Sequence, residues 1–111
     1  MTAQLLDIVM DRSIAGFDWD EGNKAKCQKH GVSIAEIELA FNNPSIVAPD
    51  LKHSIDEQRF IAIERNQDGR PMFIAFTFRE RGGEILIRPV SARYMHKEET
   101  QRYEKSTLYD N

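Results

Sequence analysis

A chain of 111 residues, 41% hydrophobic and 30% charged, reads as one globular domain, too short for two cores. No apolar run approaches the ~18–20 residues of a membrane span, and the N-terminus lacks the basic stretch and apolar core of a secretory signal, so a cytoplasmic location without membrane association is expected. The lone Cys27 rules out an internal disulfide, three scattered histidines make poor metal ligands, and a net charge of −3 weighs against a generally basic nucleic-acid binder.

In chain order, residues 1–16 hold Leu5, Leu6, Ile8, Val9 and Met10 without a clean period. They read as an N-terminal extension, either a short helix or an added edge strand, ahead of one domain over 17–111. Phe17-Asp18-Trp19 reads as a brief strand. Asp20 caps a helix running to about His30, with Gly31 as its left-handed stop and Lys29 and His30 in the last turn, where cations suit the helix dipole. Ser33 and Glu36 form an S-x-x-E capping box for a second helix, and Val32 and Ile37 occupy staple positions. Ile34, Ile37 and Phe41 form its buried face, and Asn42-Asn43-Pro44 ends it. The two helices lack the basic residues a DNA-reading helix needs, which argues against a helix-turn-helix repressor.

The period then turns to strands. Ile46-Val47-Ala48, Arg59–Arg65, Arg70–Arg79 and Glu84–Ala92 are the predicted strands, separated by Asn66-Gln67-Asp68-Gly69 and Gly82-Gly83. Loops this short demand antiparallel neighbours, so residues 58–92 are expected to form a meander. Pro89 cannot donate to a ladder and marks an edge, a bulge or an unpaired site. A charged helix from His96 to about Thr107 closes the chain, with Tyr103 and Leu108 as its sizeable apolar anchors. It reads as a solvated helix or a docking element. The expected class is α+β, two N-terminal helices on a small antiparallel sheet with a C-terminal helix.

The charge is unevenly spread. Five basic and ten acidic residues precede Gln58, whereas ten basic and eight acidic residues lie from Gln58 onward. Eight of the nine arginines are in this second half. Arginine grips phosphate through a planar two-pronged fork, so this half suits phosphate binding as well as simple surface decoration. Strand alternation puts Met72, Ile74, Phe76 and Phe78 on a core face and Phe73, Ala75, Thr77 and Arg79 on the other; Ser91 and Arg93 likewise share a face. Ahead of the meander stands His53-Ser54-x-x-Glu57-x-Arg59. An imidazole, a carboxylate and a guanidinium together suit proton transfer and charge stabilisation at a phosphodiester. Spacing alone favours the plainer alternative, a Glu57–Arg59 ion pair beside a hydrogen-bonded loop histidine. No P-loop, dinucleotide turn, nucleophile elbow or metal-ligand spacing is present.

Phe17-x-Trp19-Asp20-x-x-x-Lys24 and Lys29-His30-Gly31-Val32-Ser33 resemble the opening signature of the BrnT-type toxins of bacterial toxin–antitoxin pairs. The resemblance continues through Phe41-x-x-Pro44, Asp50-x-x-His53-Ser54-x-x-Glu57-x-Arg59, Gly69-Arg70, Thr77-x-Arg79 and Ser91-Ala92-Arg93, over roughly residues 17–105. The chain departs from the family at Cys27, at Glu64, at Arg88-Pro89-Val90 and in its longer start.

The resemblance implies a RelE-like ribonuclease fold and RNA cleavage that needs neither metal nor cofactor and inhibits translation. It also implies a BrnA-type ribbon-helix-helix antitoxin, through which the complex binds operator DNA. On this basis His53, Glu57, Arg59, Arg79 and Arg93 are the expected catalytic residues, and Lys24, Arg70, Thr77 and Ser91 the expected substrate contacts. A catalytically inactive relative, serving as scaffold of a repressor complex, is the alternative.

Overall fold

The computed structural model describes residues 14–42, 46–53 and 57–109. The elements are β1 (Ile14–Phe17), α1 (Glu21–Gln28), α2 (Ile34–Ala40), β2 (Ile46–Pro49), a 3-10 turn (Leu51–His53), β3 (Phe60–Arg65), β4 (Pro71–Arg81), β5 (Glu84–Tyr94) and α3 (Lys97–Tyr109). The Asn43-Pro44 stop signal and Ser54 lie outside the described residues.

The strands form one sheet in the order β1-β5-β4-β3-β2. The meander β2 to β5 is antiparallel, but β1 pairs with β5 in parallel. The sheet is therefore mixed, which corrects the expectation of a purely antiparallel one. The first strand also lies earlier than Phe17-Asp18-Trp19: Asp18 N–H still donates to Ile87 O at 2.8 Å, but the ladder itself ends at Phe17.

Both short helices begin where their caps dictate. Asp20 accepts from Asn23 N–H while the Asn23 side chain accepts from Asp20 N–H, and Ser33 and Glu36 make the same reciprocal pair. Two otherwise orphaned donors are thus satisfied at each helix start. Glu36 does more than cap. Its carboxylate also accepts from Asn66 Nδ2 at 2.8 Å and from Tyr94 Oη at 2.9 Å, tying α2 to the β3–β4 turn and to the end of β5. Burial pushes the Glu36 carboxyl up, but the hydrogen bonds from Ser33, Asn66 and Tyr94 prevail and hold it below its ordinary value.

Helices α1 and α2 cover the predicted core face of the sheet. Met72, Ile74 and Phe76 are fully buried there with Ile37, Val47, Ala62 and Ile87. Phe76 is the centre of an aromatic group, with Phe41 edge-on at 4.8 Å and Phe60 and Phe78 within 5.6 Å. Such contacts add about 0.5–1.5 kcal/mol each to the burial itself. At the other reversal, Gly82 and Gly83 take φ of +59° and +82° between the paired Arg81 and Glu84, the positive φ that a two-residue hairpin requires.

A bulge in β5 decides which of its side chains face away from the core. Ala75 pairs with Ser91 and Phe76 with Pro89, so Val90 is the extra residue. Beyond it, the alternation of β5 inverts. Pro89 and Ile87 turn into the core, and Arg88 emerges opposite Thr77 on the face away from α1 and α2.

Candidate phosphate-binding site

The site is assembled on that face, which α3 meets at its far end through Glu99 and Arg93. Registers place Thr77, Arg79 and Arg88 side by side on β4 and β5, with Arg59 just ahead of β3 next to them. The buried Thr77 hydroxyl donates to Gln58 O at 2.7 Å, fixing the backbone between Glu57 and Arg59. Glu57 reaches across to form an ion pair with Arg79. Spacing favours Arg59 as the partner of Glu57; the structure has an ion pair across the strands to Arg79, with the charge of Arg59 acting on Glu57 in the same direction.

The electrostatics follow from this arrangement. The Arg79 hydrogen bond holds the Glu57 carboxyl below its ordinary value against the opposing effect of burial, and the charges of Arg79, Arg59 and Arg88 act in the same direction. Glu57 is consequently an anion at neutral pH, able to accept a proton but not to donate one. Arg88 was not singled out by sequence reasoning. It donates to Asp20 Oδ2 at 2.9 Å and approaches Asp18 Oδ2 at 3.4 Å, and Arg81 shares Asp18 at 3.1 Å. Burial works against the charge of Arg88, but these carboxylates raise its pKa overall. Pro89 carries the signal: of the edge, bulge or unpaired site that it marks, the structure has the bulge, and a bulge inverts the facing of its neighbours.

The other expected residues are spread more widely. Arg93 pairs with Phe73, six residues along β4 from Arg79, or roughly 20 Å of strand. Its guanidinium lies 4.6 Å from the Phe73 ring centroid and makes two 2.9 Å bonds to Glu99 at the start of α3. The pairing holds the Glu99 carboxyl at about 2, helped by His96 N–H. Ser91 sits between these regions, opposite Ala75 on the same face. Arg70 stands at the opposite end of the β3–β4 hairpin, its guanidinium 3.7 Å from the Tyr94 ring centroid, nine residues and roughly 30 Å of strand from Arg79. The structure does not bring it to the Glu57 cluster. Lys24 is exposed on α1. His53 closes the 3-10 turn, and its side chain lies outside the described residues.

Arg59, Ser91 and Arg93 also line one open groove of about 530 Å³, floored by Ile61, Phe73 and Ala75. Among the described residues, no three His, Cys, Asp or Glu side chains gather as a metal site. No helix of the described chain is long and apolar enough to cross a membrane.

Fold and site define a small α+β protein that presents clustered guanidinium groups, paired with carboxylates of its own chain, on the sheet face opposite α1 and α2. The family described as ribonuclease toxin, BrnT, of type II toxin–antitoxin system matches residues 19–99. The chain belongs to that family of ribonuclease toxins, which implies an antitoxin partner. No curated protein matched the chain.

Proposed function

We propose that this protein is a RelE-like, metal-independent endoribonuclease toxin that inhibits translation and growth by cleaving RNA on the sheet face opposite α1 and α2. The observation that carries the reading is the Glu57–Arg79 pair with Arg59 and Arg88 beside it, in a member of a ribonuclease toxin family. In this reading the RNA 2′-hydroxyl attacks the adjacent phosphorus. Glu57 takes the hydroxyl proton as the new O2′–P bond forms. The P–O5′ bond breaks, and His53 protonates the departing 5′-oxygen. The products are a 2′,3′-cyclic phosphate and a free 5′-hydroxyl. Arg79 and Arg59 hold the non-bridging oxygens as charge grows on them, a task in which one lost donor typically costs about 10²–10³ in rate. Thr77 positions Glu57 and Arg59, while Ser91 and Arg93 contact the chain away from the scissile phosphate. The partner is a BrnA-type ribbon-helix-helix antitoxin that neutralises the toxin and carries operator DNA binding for the complex.

One observation favours a second reading, a non-catalytic scaffold in a repressor complex. Arg79, Arg88 and Arg93 each already carry a carboxylate from their own chain. Inducible expression without the antitoxin separates the two. The ribonuclease reading expects growth arrest by the wild type and none by Arg79→Ala, with antitoxin binding intact in both. Arrest by Arg79→Ala equal to the wild type overturns the site, and indifference to the wild type supports the scaffold.

A further inference from the structure

The groove beside the Glu57 cluster has two cationic walls and an apolar floor. One wall carries Lys26 in the last turn of α1 and His30 just beyond its end; the other carries Arg59. Lys24 is two residues from Lys26, about 200° around the helix, and points elsewhere. A helix-end histidine and an exposed lysine, bland as sequence features, meet at one surface because α1 runs along β5 past the end of the short β1 ladder. On the floor, the Arg93 guanidinium lies over the Phe73 ring, 4.6 Å from its centroid, and the two together form a platform. Because Glu99 already engages the edges of that guanidinium, the group offers its plane more than its charge. Asp50 is the one carboxylate among the groove residues.

From this we infer that the groove is a nucleotide subsite for single-stranded RNA, adjacent to the cleavage centre. One unpaired base stacks on the Phe73–Arg93 platform, and Lys26, with His30, holds the phosphate next to it. The inference rests on the ribonuclease reading for its direction: Arg59 belongs both to the groove and to the group of charges acting on Glu57, so a chain lying in the groove leads to that carboxylate. A groove of this volume suits one small ligand unit rather than a duplex. A flat apolar floor between cationic walls is the arrangement by which proteins hold unpaired bases, each stacked base contributing roughly tenfold or more in affinity.

The test uses the full-length, antitoxin-free protein and a fluorescent 2′-O-methyl RNA of about eight nucleotides, which has no free 2′-hydroxyl to attack and is within the span such sites cover. Anisotropy titrations at several salt concentrations give affinity and its salt slope. Lys26→Ala should weaken binding and flatten the slope by about 0.7, the value of one contact to a single strand, and Lys26→Arg should restore it. Lys97→Ala, which removes a charge outside the groove, should leave the slope unchanged. Phe73→Leu keeps an apolar floor but removes the ring, and should lose roughly 5- to 100-fold in affinity. That loss should shrink when one nucleotide of the probe is abasic. Unchanged affinity and slope in Lys26→Ala and Phe73→Leu would overturn the subsite, as would variants that keep RNA binding and lose the antitoxin instead. The two proposals fail separately. Wild type that binds the probe through these residues but leaves cleavable RNA intact removes the catalytic reading and keeps the groove. Cleavage unaffected by either variant does the reverse.

Discussion

Asn23 is the residue on which fold and site depend together, and removing it gives a quantitative prediction. Its side chain is 6% exposed. Nδ2 donates to Asp18 O at 2.9 Å and to Pro89 O at 2.8 Å, while Oδ1 accepts from Asp20 N–H at 2.7 Å. One amide thus closes the α1 cap and pins the β5 bulge that turns Arg88 outward. Each such bond is worth about 1 kcal/mol net, and buried groups left unpaired add to the loss. Alanine recovers about 0.5 kcal/mol of helix propensity. Asn23→Ala should therefore cost about 2–4 kcal/mol, or roughly 8–16 °C in Tm for a domain of this size. Asn23→Asp keeps the acceptor but turns a carboxylate toward two carbonyl oxygens. Its folded pKa is then raised, so this variant is most stable below the ordinary aspartate pKa and loses stability as pH rises toward the raised value. Urea unfolding followed by circular dichroism at several pH values measures both. A loss under about 0.5 kcal/mol for Asn23→Ala, or an Asn23→Asp variant that gains stability as pH rises, would refute the reasoning.

The same geometry sets further outcomes. Burial pushes the Cys27 thiol up to about 11, so the native protein should resist a disulfide reagent at mildly alkaline pH and react fully once unfolded; rapid native labelling would contradict this. The Glu99 carboxyl, held at about 2 by Arg93 and His96 N–H, should titrate there by NMR and move back toward the ordinary glutamate range in Arg93→Gln. Its contribution to stability is present above the ordinary glutamate pKa and is lost as pH falls toward 2. Gly31→Ala places a side chain at φ +92° with its nearest neighbour, Tyr94 Cε2, 4.0 Å away. The cost should be backbone strain alone, about 1–2 kcal/mol by thermal melting.

The local signals were the legible ones. Both helix caps, the two hairpin turns and the core face of β4 depend on neighbours in sequence, and each is found where the residues indicate. What escaped depends on distant pairing. β1 is four residues long, is irregular between Ile14 and Gly16, and exists only because β5 lies beside it in parallel. Arg88 escaped because alternation counted back from Ser91 puts it in the core, and only the extra residue Val90 turns it out. Lys24 stands out in the sequence where Lys26 does not, because Ala25 and Cys27 alone do not reveal which flank of the last turn meets the sheet edge. Arg70 precedes β4 and Arg79 lies near its far end, and no local signal separates an arginine over the Tyr94 ring from one paired with Glu57.

The central claim is tested most directly by incubating antitoxin-free protein with RNA in excess chelator and analysing the ends of any products. The expected fragments end in 2′,3′-cyclic phosphate and begin with a 5′-hydroxyl, and Arg79→Ala reduces their yield about 10²–10³-fold. RNA left intact by the wild type, with and without ribosomes, or cut equally well by Arg79→Ala, would contradict it.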